Sequence, residues 1–472
     1  MHLPTPHAAF AGGLWPALPQ TQAAALLAVL EQLSRSQYLP AEELAAVRRP
    51  QVEALIDHAF AYVPFWRERL SAAGLDPDSR RASSIDTTEW DRRWASLPIL
   101  TRAAVQSLGS SLHASQLPPG HGGLGESLTS GSSGRPVRIL RSTLDHFYWQ
   151  VFQLREHVWR GRDISGSFLS IVRDDGRDGP DDAIHVRRYE NWGPPMATVW
   201  PTGPSFLLDY RAPIAALIKA ICNIAPDYVC TLPTLLLEIL RRARLERITL
   251  PPLKEAIVVG GASPPELAAL CRDVWNAPLA RTYTAAEAGA IAYQCPEEGR
   301  WHVQAEKSIV EVLDDSGRPC AAGVTGHVVL TPLHNFAMPL LRYEIGDLAT
   351  VGAGLCDCGR TLPVLEDIPG RANDLMMLPS GELRPPYYGY QAVMEVRAIL
   401  QHQFVQIAPD HVCFRLVVAR PLTPDEERHV QSVAAQALGG GVRVTLEYVP
   451  EITRGPGGKY AEFQRLFPLP GR

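Results

Sequence analysis

The sequence predicts an α/β protein made of two parts. In the large N-terminal part, parallel or mixed sheets would pack with helices beside a distorted β-barrel, and a small α+β part would follow. Three observations indicate this class. The 472 residues suffice for about three ordinary domains, strand patterns alternate with helical patterns in the middle of the chain, and a β-α-β pattern lies near its end.

The helices and strands of the large part follow from the spacing of apolar residues. A helical period covers six segments, at 21–35, 41–61, 143–159, 213–222, 233–243 and 265–275. Buried-strand patterns lie between the later helices, at 168–172, 227–231 and 256–259. Strands that alternate with helices in this way imply a largely parallel sheet.

The chain changes character after residue 300. Segments 308–313 and 327–331 alternate like the strands of a barrel or a distorted sheet. In the tail, Thr423-Pro-Asp-Glu426 has the spacing of a capping box, which predicts the start of a helix. That helix is expected over 424–437, with strands on either side at 412–418 and 442–448.

Composition excludes several classes of protein. Lys and Arg number 45 against 50 Asp and Glu, a net charge of −5, which does not suggest binding to nucleic acid or to an anionic membrane. No apolar run reaches the roughly 20 residues that span a bilayer, and no basic segment precedes the first apolar stretch. Eight cysteines are few for this length. We therefore expect a reduced, cytoplasmic protein.

A loop rich in glycine and hydroxyl groups is the first candidate site. It contains Thr129, Ser130, Gly131, Ser132, Ser133, Gly134 and Arg135. Glycines let several backbone N–H groups approach one anion, and the hydroxyls and the guanidinium add donors and charge, so the loop could hold a triphosphate. The Gly-Lys-Ser/Thr of a Walker loop is missing. On composition alone, a flexible surface linker explains the loop equally well.

Four further motifs follow in order: Tyr283-Thr-Ala-Ala-Glu287-Ala-Gly289, Arg342-Tyr-Glu-Ile-Gly-Asp347, Gly370-Arg-Ala-Asn-Asp374 and Gly457-Gly-Lys459. Each is weak alone, since Tyr283 could be a core aromatic, Asp347 a turn former and Lys459 a solvated charge. Their joint occurrence favours a functional explanation.

Together these motifs resemble the adenylate-forming superfamily, and within it the phenylacetate-CoA ligase family. Further segments carry the resemblance: 61–67, 97–101, 226–229, 232–236 and 356–360. It implies a two-step reaction. A carboxylic acid, expected to be aromatic, attacks the α-phosphate of ATP to give acyl-AMP and pyrophosphate, and a thiol, usually that of coenzyme A, then displaces AMP. It also makes a homodimer possible.

The resemblance implies roles for residues of the large domain. The loop 129–135 would cradle the β- and γ-phosphates, and Glu287 would help hold Mg²⁺, a cation that prefers oxygen ligands. Tyr283, next to Thr284, would stack on adenine. The other implied contacts are lining of the nucleotide or acyl pocket by Gly260, Gly261 and Ala262, ribose binding by Asp347, and ribose or phosphate binding by Arg371.

The resemblance also implies a mobile tail. Residues 1–372 would form the adenylation domain and residues 373–472 a lid that rotates about a hinge at Asn373. In the first half-reaction, Lys459 of the lid would reach the α-phosphate as a point charge.

The sequence departs from the family pattern at several positions. Arg135 stands in place of a lysine, Thr284 and Ala286 in place of a glycine and a hydroxyl residue, and Asn373 in place of an aspartate. The usual Gly-rich turn after the hinge is missing. Because of these departures, the acceptor could be something other than coenzyme A. It could be an amine, which would give an amide, or a separate carrier protein. A nucleotide-binding protein without catalysis is a third possibility.

Two smaller features complete the candidates. Cys295, His302, Cys356 and Cys358 make a full tetrahedral set for structural zinc. Their spacing is not that of a zinc finger, and unrelated free thiols would explain it as well, but the resemblance favours a metal here.

Phe147, Tyr148 and Trp149 are more simply core residues, although one of them could line an aryl pocket. His334 is more simply a loop histidine.

Overall fold

The computed structural model describes most of the chain. The described residues are 4–12, 15–82, 86–128, 137–174, 184–261, 263–264, 266–371, 375–381, 383–384, 396, 398–438, 441–452 and 463–467. Within these ranges, no helix is both long enough and apolar enough to cross a membrane.

The N-terminal part is helical. Its elements are α1 (Thr21–Ser36), α2 (Ala41–Tyr62), α3 (Pro64–Ala72), α4 (Pro77–Ala82), α5 (Thr87–Ser96), β1 (Leu100–Thr101), α6 (Arg102–Leu108), a 3₁₀ turn (Gly109–Leu112), β2 (Leu124–Leu128) and β3 (Arg138–Ser142). The Thr101 side chain accepts a hydrogen bond from the N–H of Ala104 and so caps α6. The cap fixes Arg102 at the first position of that helix.

The middle of the chain forms a parallel sheet with helices, as predicted. Its elements are α7 (Thr143–Trp159), β4 (Phe168–Val172), β5 (Arg187–Tyr189), α8 (Met196–Val199), β6 (Ser205–Asp209), α9 (Ile214–Ile224), β7 (Tyr228–Thr231), α10 (Pro233–Glu246), β8 (Glu255–Val258), α11 (Leu267–Trp275) and β9 (Leu279–Ala285). Strands β6, β4, β7, β8 and β9 are parallel neighbours in that order. The carboxyl ends of these strands therefore meet at one edge of the sheet.

An antiparallel half continues the same sheet. It consists of β10 (Gly289–Gln294), β11 (Trp301–Val303), β12 (Ser308–Leu313), β13 (Thr325–Pro332), β14 (Tyr343–Val351) and β15 (Val364–Arg371). The order runs β9-β10-β11-β15-β14-β13-β12, and β1 pairs in parallel with β14. The sheet has 13 strands among the described residues.

The strands predicted for a barrel or a distorted sheet are present, and within the described ranges they form a sheet that does not close. Strands β12 and β13 form the edge of the open sheet, and no closed barrel occurs in the part of the chain that the structure describes. Alternation of apolar and polar residues reports only that one face of a strand is buried, and open sheets and barrels share this period. The sequence pattern could not distinguish the two.

The tail contains a small sheet of its own. Its elements are β16 (Met376–Met377), β17 (Leu383–Arg384), β18 (Ile399–Ala408), β19 (His411–Val418), α12 (Pro424–Ala437), β20 (Arg443–Tyr448) and β21 (Phe463–Arg465). β19 and β20 are parallel, which confirms the predicted β-α-β unit. The capping box is present too: the N–H of Thr423 donates to Glu426 at 2.8 Å, and the N–H of Glu426 donates to the Thr423 hydroxyl at 3.3 Å. Asn373, the predicted domain boundary, lies outside the described residues.

Candidate active site

Glu287 lies in the turn between β9 and β10. Ala285 pairs with Gly289, so the turn consists of residues 286–288. The carboxylate is 3% exposed, and its Oε1 atom accepts hydrogen bonds from Arg102 Nη1 at 3.1 Å and from the Tyr343 hydroxyl at 3.2 Å. Burial and the Glu287 charge raise the pKa of Tyr343, so its hydroxyl stays protonated and donates. Because both contacts use Oε1, Oε2 is the atom that Glu287 can offer to a cation.

Arg102 is a member of this site that the sequence analysis missed. The short pairing of β1 with β14 sets Leu100 beside Tyr343 and Thr101 beside Glu344. The next residue, Arg102, therefore begins α6 close to Tyr343 and reaches Glu287. The one hint in the sequence was that Arg102 directly follows the segment 97–101. The residues that it contacts, Glu287 and Tyr343, are 185 and 241 positions away in the chain.

Tyr283, Asp347 and Arg371 lie together, as their predicted roles require. The Tyr283 hydroxyl donates to Asp347 Oδ2 at 2.7 Å, and Arg371 Nε is 3.6 Å from Asp347 Oδ1. Asp347 and Arg371 are paired positions of β14 and β15. Burial and the Asp347 charge raise the pKa of Tyr283 well above its usual value. Tyr283 is therefore a donor that holds this carboxylate in place.

Gly260 and Gly261 follow β8 at the carboxyl edge of the parallel strands. Val258 pairs with Arg281, so continuation of this register sets Gly260 level with Tyr283. Gly260 has φ of +77°, which favours glycine, and a Cβ there would lie 3.5 Å from Leu232. Thr284 pairs with Ala290 in the hairpin. The other predicted nucleotide residues, 129–135, Ala262, Asn373 and Lys459, lie outside the described residues.

A buried charge cluster on the other side of the turn was not predicted. Asp145, in the first turn of α7, accepts from Arg141 at 2.6 Å and from Lys307 at 2.6 Å. Arg141 also donates to the backbone oxygen of Ala286, directly before Glu287. Lys307 is completely buried. We name Arg141, Asp145, Lys307 and the adjacent His334 the acyl-side cluster, because it borders Gly289 beyond the nucleotide residues.

Aromatic rings line this cluster. The rings of Tyr148 and His334 stack with centroids 3.7 Å apart. A Cβ at Gly289 would lie 3.5 Å from the Trp149 ring and 3.7 Å from Lys307 Cε, so this glycine allows close approach. Two of the three aromatic residues singled out in the sequence therefore lie next to the site.

The four predicted metal ligands come together. One ligand atom each from Cys295, His302, Cys356 and Cys358 lies within 4.8 Å of all the others. The Cys295 and Cys356 sulfurs are 3.8 Å apart, and the Cys358 sulfur is 3.3 Å from His302 Nε2. A tetrahedral zinc site with bonds of about 2.3 Å to sulfur has edges of about 3.8 Å, so the residues fit this metal.

The chain is similar to known proteins in its fold over most of its length and in its sequence over a shorter segment. No protein-family model matches the chain. It is 33% identical over 138 residues to a phenylacetate-coenzyme A ligase of Thermus thermophilus, a match that covers 29% of this chain and 28% of that enzyme. A 2-hydroxyisobutyryl-CoA ligase in its postadenylation state, in complex with 2-HIB-AMP, is similar in structure with a TM-score of 0.69 and 18% identity over 92% of this chain and 91% of that one.

The chain therefore shares its fold with this 2-hydroxyisobutyryl-CoA ligase. The match of 138 residues to the phenylacetate-coenzyme A ligase supports the resemblance that the motifs indicate. The same 2-hydroxyisobutyryl-CoA ligase in its thioesterification state, in complex with 2-HIB-AMP and CoA, matches with a lower TM-score of 0.55.

Proposed function

We propose that the protein is an AMP-forming ligase that joins a carboxylic acid to a thiol, with coenzyme A as the acceptor. The observation that carries the proposal is the grouping of Tyr283, Asp347 and Arg371 on adjacent strands, with Glu287 in the turn that follows Tyr283. The motifs that resemble the family predict these positions. The solved and curated relatives are CoA ligases, which supports the same activity here.

In the first step, a carboxylate oxygen of the acid attacks the α-phosphorus of ATP and pyrophosphate leaves. Asp347 would accept hydrogen bonds from the ribose hydroxyls, with its orientation fixed by Tyr283. Arg371 and Lys459 would neutralise the negative charge that grows on the phosphate and acyl oxygens. Bound Mg²⁺ would neutralise further phosphate charge, and Glu287 Oε2 fits it as a ligand.

In the second step, the sulfur of the thiol attacks the acyl carbon, and AMP leaves with the oxygen that came from the acid. Lys459 must withdraw first, because the acceptor needs access to the same carbonyl. We propose that the domain of residues 373–472 rotates about Asn373 between the steps. The 2-hydroxyisobutyryl-CoA ligase of the same fold has been solved in a postadenylation and in a thioesterification state, which supports such a rearrangement here.

Pyrophosphate release tests the function. Protein, ATP and Mg²⁺ are incubated with a panel of aromatic and aliphatic acids, with and without coenzyme A. We expect release with one class of acid and a rise when coenzyme A is present. Release that ignores coenzyme A but rises with an amine would replace the thiol acceptor by an amine. If no acid gives pyrophosphate release, but calorimetry shows that ATP binds, a nucleotide-binding protein without catalysis would be favoured.

We also propose that Cys295, His302, Cys356 and Cys358 hold a structural zinc ion. It would tie the loops after β10 and before β15, because Cys295 follows the first and Cys356 and Cys358 precede the second. Metal analysis should find about one zinc per chain. Cys358→Ser should lose it and lower the melting temperature, whereas Cys222→Ser, at a thiol remote from the set, should retain it. Zinc-free protein with unchanged stability would contradict this proposal.

A further inference from the structure

The acyl-side cluster contains more positive than negative charge. The ion pairs that the structure shows for Arg141 and Lys307 both end on Asp145, which leaves the trio with a net charge of one positive unit. Arg141 is 5% exposed and Lys307 is fully buried. Arg141 also donates to the backbone oxygen of Ala286 and lies 5.1 Å from the centroid of the Trp149 ring, but neither contact supplies a negative charge. A buried excess charge costs free energy, which an anionic ligand would offset. The arrangement is therefore electrostatically incomplete.

The cluster also has unsatisfied polar atoms. Among the residues that the structure describes, Arg141 Nε and His334 Nδ1 are buried and have no hydrogen-bond partner. Buried polar groups of native proteins are nearly always paired, so each exception needs an explanation. Burial and the Lys307 charge lower the pKa of His334 well below its usual value, so this ring is neutral and adds no charge. A ligand that is both anionic and able to hydrogen-bond would satisfy both atoms.

The position of the cluster assigns it to the acid rather than to the nucleotide. Tyr283, which donates a hydrogen bond to Asp347, the residue predicted to bind the ribose, precedes the Glu287 turn. Lys307 and Trp149 lie against Gly289, which follows the turn. Arg141 reaches Ala286, inside the turn. An acid whose reacting carboxylate is near Glu287 would thus extend toward Lys307. The flat Tyr148–His334 stack there suits an aromatic ring.

We propose that Arg141 and Lys307 bind a second anionic group of the acid, so that the preferred substrates are dianionic aromatic acids. This inference rests on the proposed function. One carboxylate would remain beside Glu287 to attack ATP, and the second group would accept hydrogen bonds from Arg141 Nε and the Lys307 ammonium. A neutral acid of the same shape would leave the positive charge uncompensated and would bind less well.

Matched acids test the preference. The three benzenedicarboxylates and the carboxyphenylacetates are each compared with the corresponding monoamide, which has the same shape but one charge fewer. Binding of each acid is measured by calorimetry without ATP, and pyrophosphate release is measured with ATP. At least one dianionic acid should surpass its monoamide by about 10- to 100-fold in affinity and in kcat/KM. If every monoamide equals or surpasses its diacid, the proposal is overturned.

Variants then assign the effect to the cluster. Lys307→Met should abolish the preference for the diacid, while Lys307→Arg should retain part of it. Lys254→Met is the matched control, because Lys254 also pairs with carboxylates, Asp163 and Asp227, but far from the turn. It should keep the full preference. A Lys307→Met protein that still prefers the diacid would contradict the assignment.

The two measurements separate the two ideas. If diacids bind best but no acid releases pyrophosphate, the charge assignment stands and the ligase proposal fails. If monoacids are adenylated and bind best, the ligase proposal stands and the charge assignment fails. If the Lys307→Met protein does not fold, the preference for the diacid over its monoamide is still measured with the wild type and with Lys307→Arg. A preference that is lower in Lys307→Arg than in the wild type supports the assignment, and an equal preference contradicts it.

Discussion

The two sides of the Glu287 turn differ in how their charges are compensated. On the proposed nucleotide side, Asp347 accepts a hydrogen bond from the neutral Tyr283 hydroxyl and lies 3.6 Å from the guanidinium of Arg371. On the proposed acyl side, Asp145 pairs with two cations, and two buried nitrogens have no hydrogen-bond partner among the residues that the structure describes. In our proposal, the first arrangement binds a ligand that is the same in every turnover. The second leaves one positive charge for the acid to compensate, and we therefore propose that it is the side that distinguishes substrates.

The largest expected effect concerns the nucleotide side. Lys459→Ala should lower the rate of pyrophosphate release by about 10²- to 10³-fold, because a charge aimed at the reacting phosphate is lost. ATP affinity, measured by calorimetry, should change little. Arg428→Ala is a control, since Arg428 is an exposed cation of the same tail that pairs with Asp425. Normal release by the Lys459 variant would remove the tail from the mechanism.

Glu287→Gln should have the next largest effect. It keeps the size of the side chain but removes the charge that attracts a divalent cation, and it weakens the contact with Arg102. We expect kcat/KM to fall by about 10- to 100-fold and the Mg²⁺ concentration for half-maximal activity to rise. A magnesium titration at fixed ATP measures both. Glu447→Gln, at a half-exposed ion pair in the tail, should leave the titration unchanged; an unaltered titration for Glu287→Gln itself would rule out its role as a ligand.

Tyr283→Phe tests whether the Tyr283 hydroxyl positions Asp347 for ATP binding. The variant keeps the ring but loses the hydrogen bond to Asp347, which contributes about 1.5 kcal/mol when the acceptor is charged. The KM for ATP should therefore rise about tenfold, with a smaller change in kcat. Tyr293→Phe, at a buried tyrosine on β10, should leave the KM unchanged. Equal KM values for the two variants would mean that Tyr283 does not position the ribose ligand.

The smallest effect concerns stability on the acyl side. His334 has a folded-state pKa well below its ordinary value, because burial, the Lys307 charge and His121 oppose its protonation while Asp145 favours it. Below about pH 6.5 the unfolded chain takes up a proton here that the folded chain does not, so stability falls as the pH falls, by about 1.4 kcal/mol per pH unit. Stability that depends on this group is thus fully present above pH 6.5.

Denaturant unfolding at pH 7.5, 6.5 and 5.5 measures this dependence. His334→Gln should lose less stability between pH 6.5 and 5.5 than the wild type does. The difference between the two proteins isolates His334 from other buried histidines such as His402, which both proteins share. Parallel losses would show that His334 takes up its proton as easily in the folded state as in the unfolded one.

The sequence predicted the local features of the fold well. The parallel strands at 168–172 and 227–231 and the capping box at Thr423 are present, since each depends on a few neighbouring residues. The sequence could not distinguish a barrel from a distorted sheet, because closure depends on which strands pair and strand alternation does not report that. Pairing between β11 and β15 joins segments separated by three intervening strands, which the local pattern could not reveal.

The same limit applies to the site. Tyr283, Glu287, Asp347 and Arg371 were found because each occurs in a short motif. Asp145 and Lys307 were missed because they are 162 positions apart and neither belongs to a motif. The four residues of the candidate metal site were predicted only because the resemblance added to a modest spacing signal, and the structure brings them together. Charge compensation is a property of the folded arrangement, so a list of residues cannot reveal it.

The central claim is that the acid attacks the α-phosphate of ATP, and oxygen isotopes test it directly. The acid that gives the fastest pyrophosphate release is labelled with ¹⁸O in its reacting carboxylate and converted with ATP and coenzyme A. The AMP and phosphate products are then analysed by mass spectrometry. Our account predicts that AMP contains one ¹⁸O atom, since AMP leaves with an oxygen of the acid. Label in inorganic phosphate, with ADP as the nucleotide product, would contradict it.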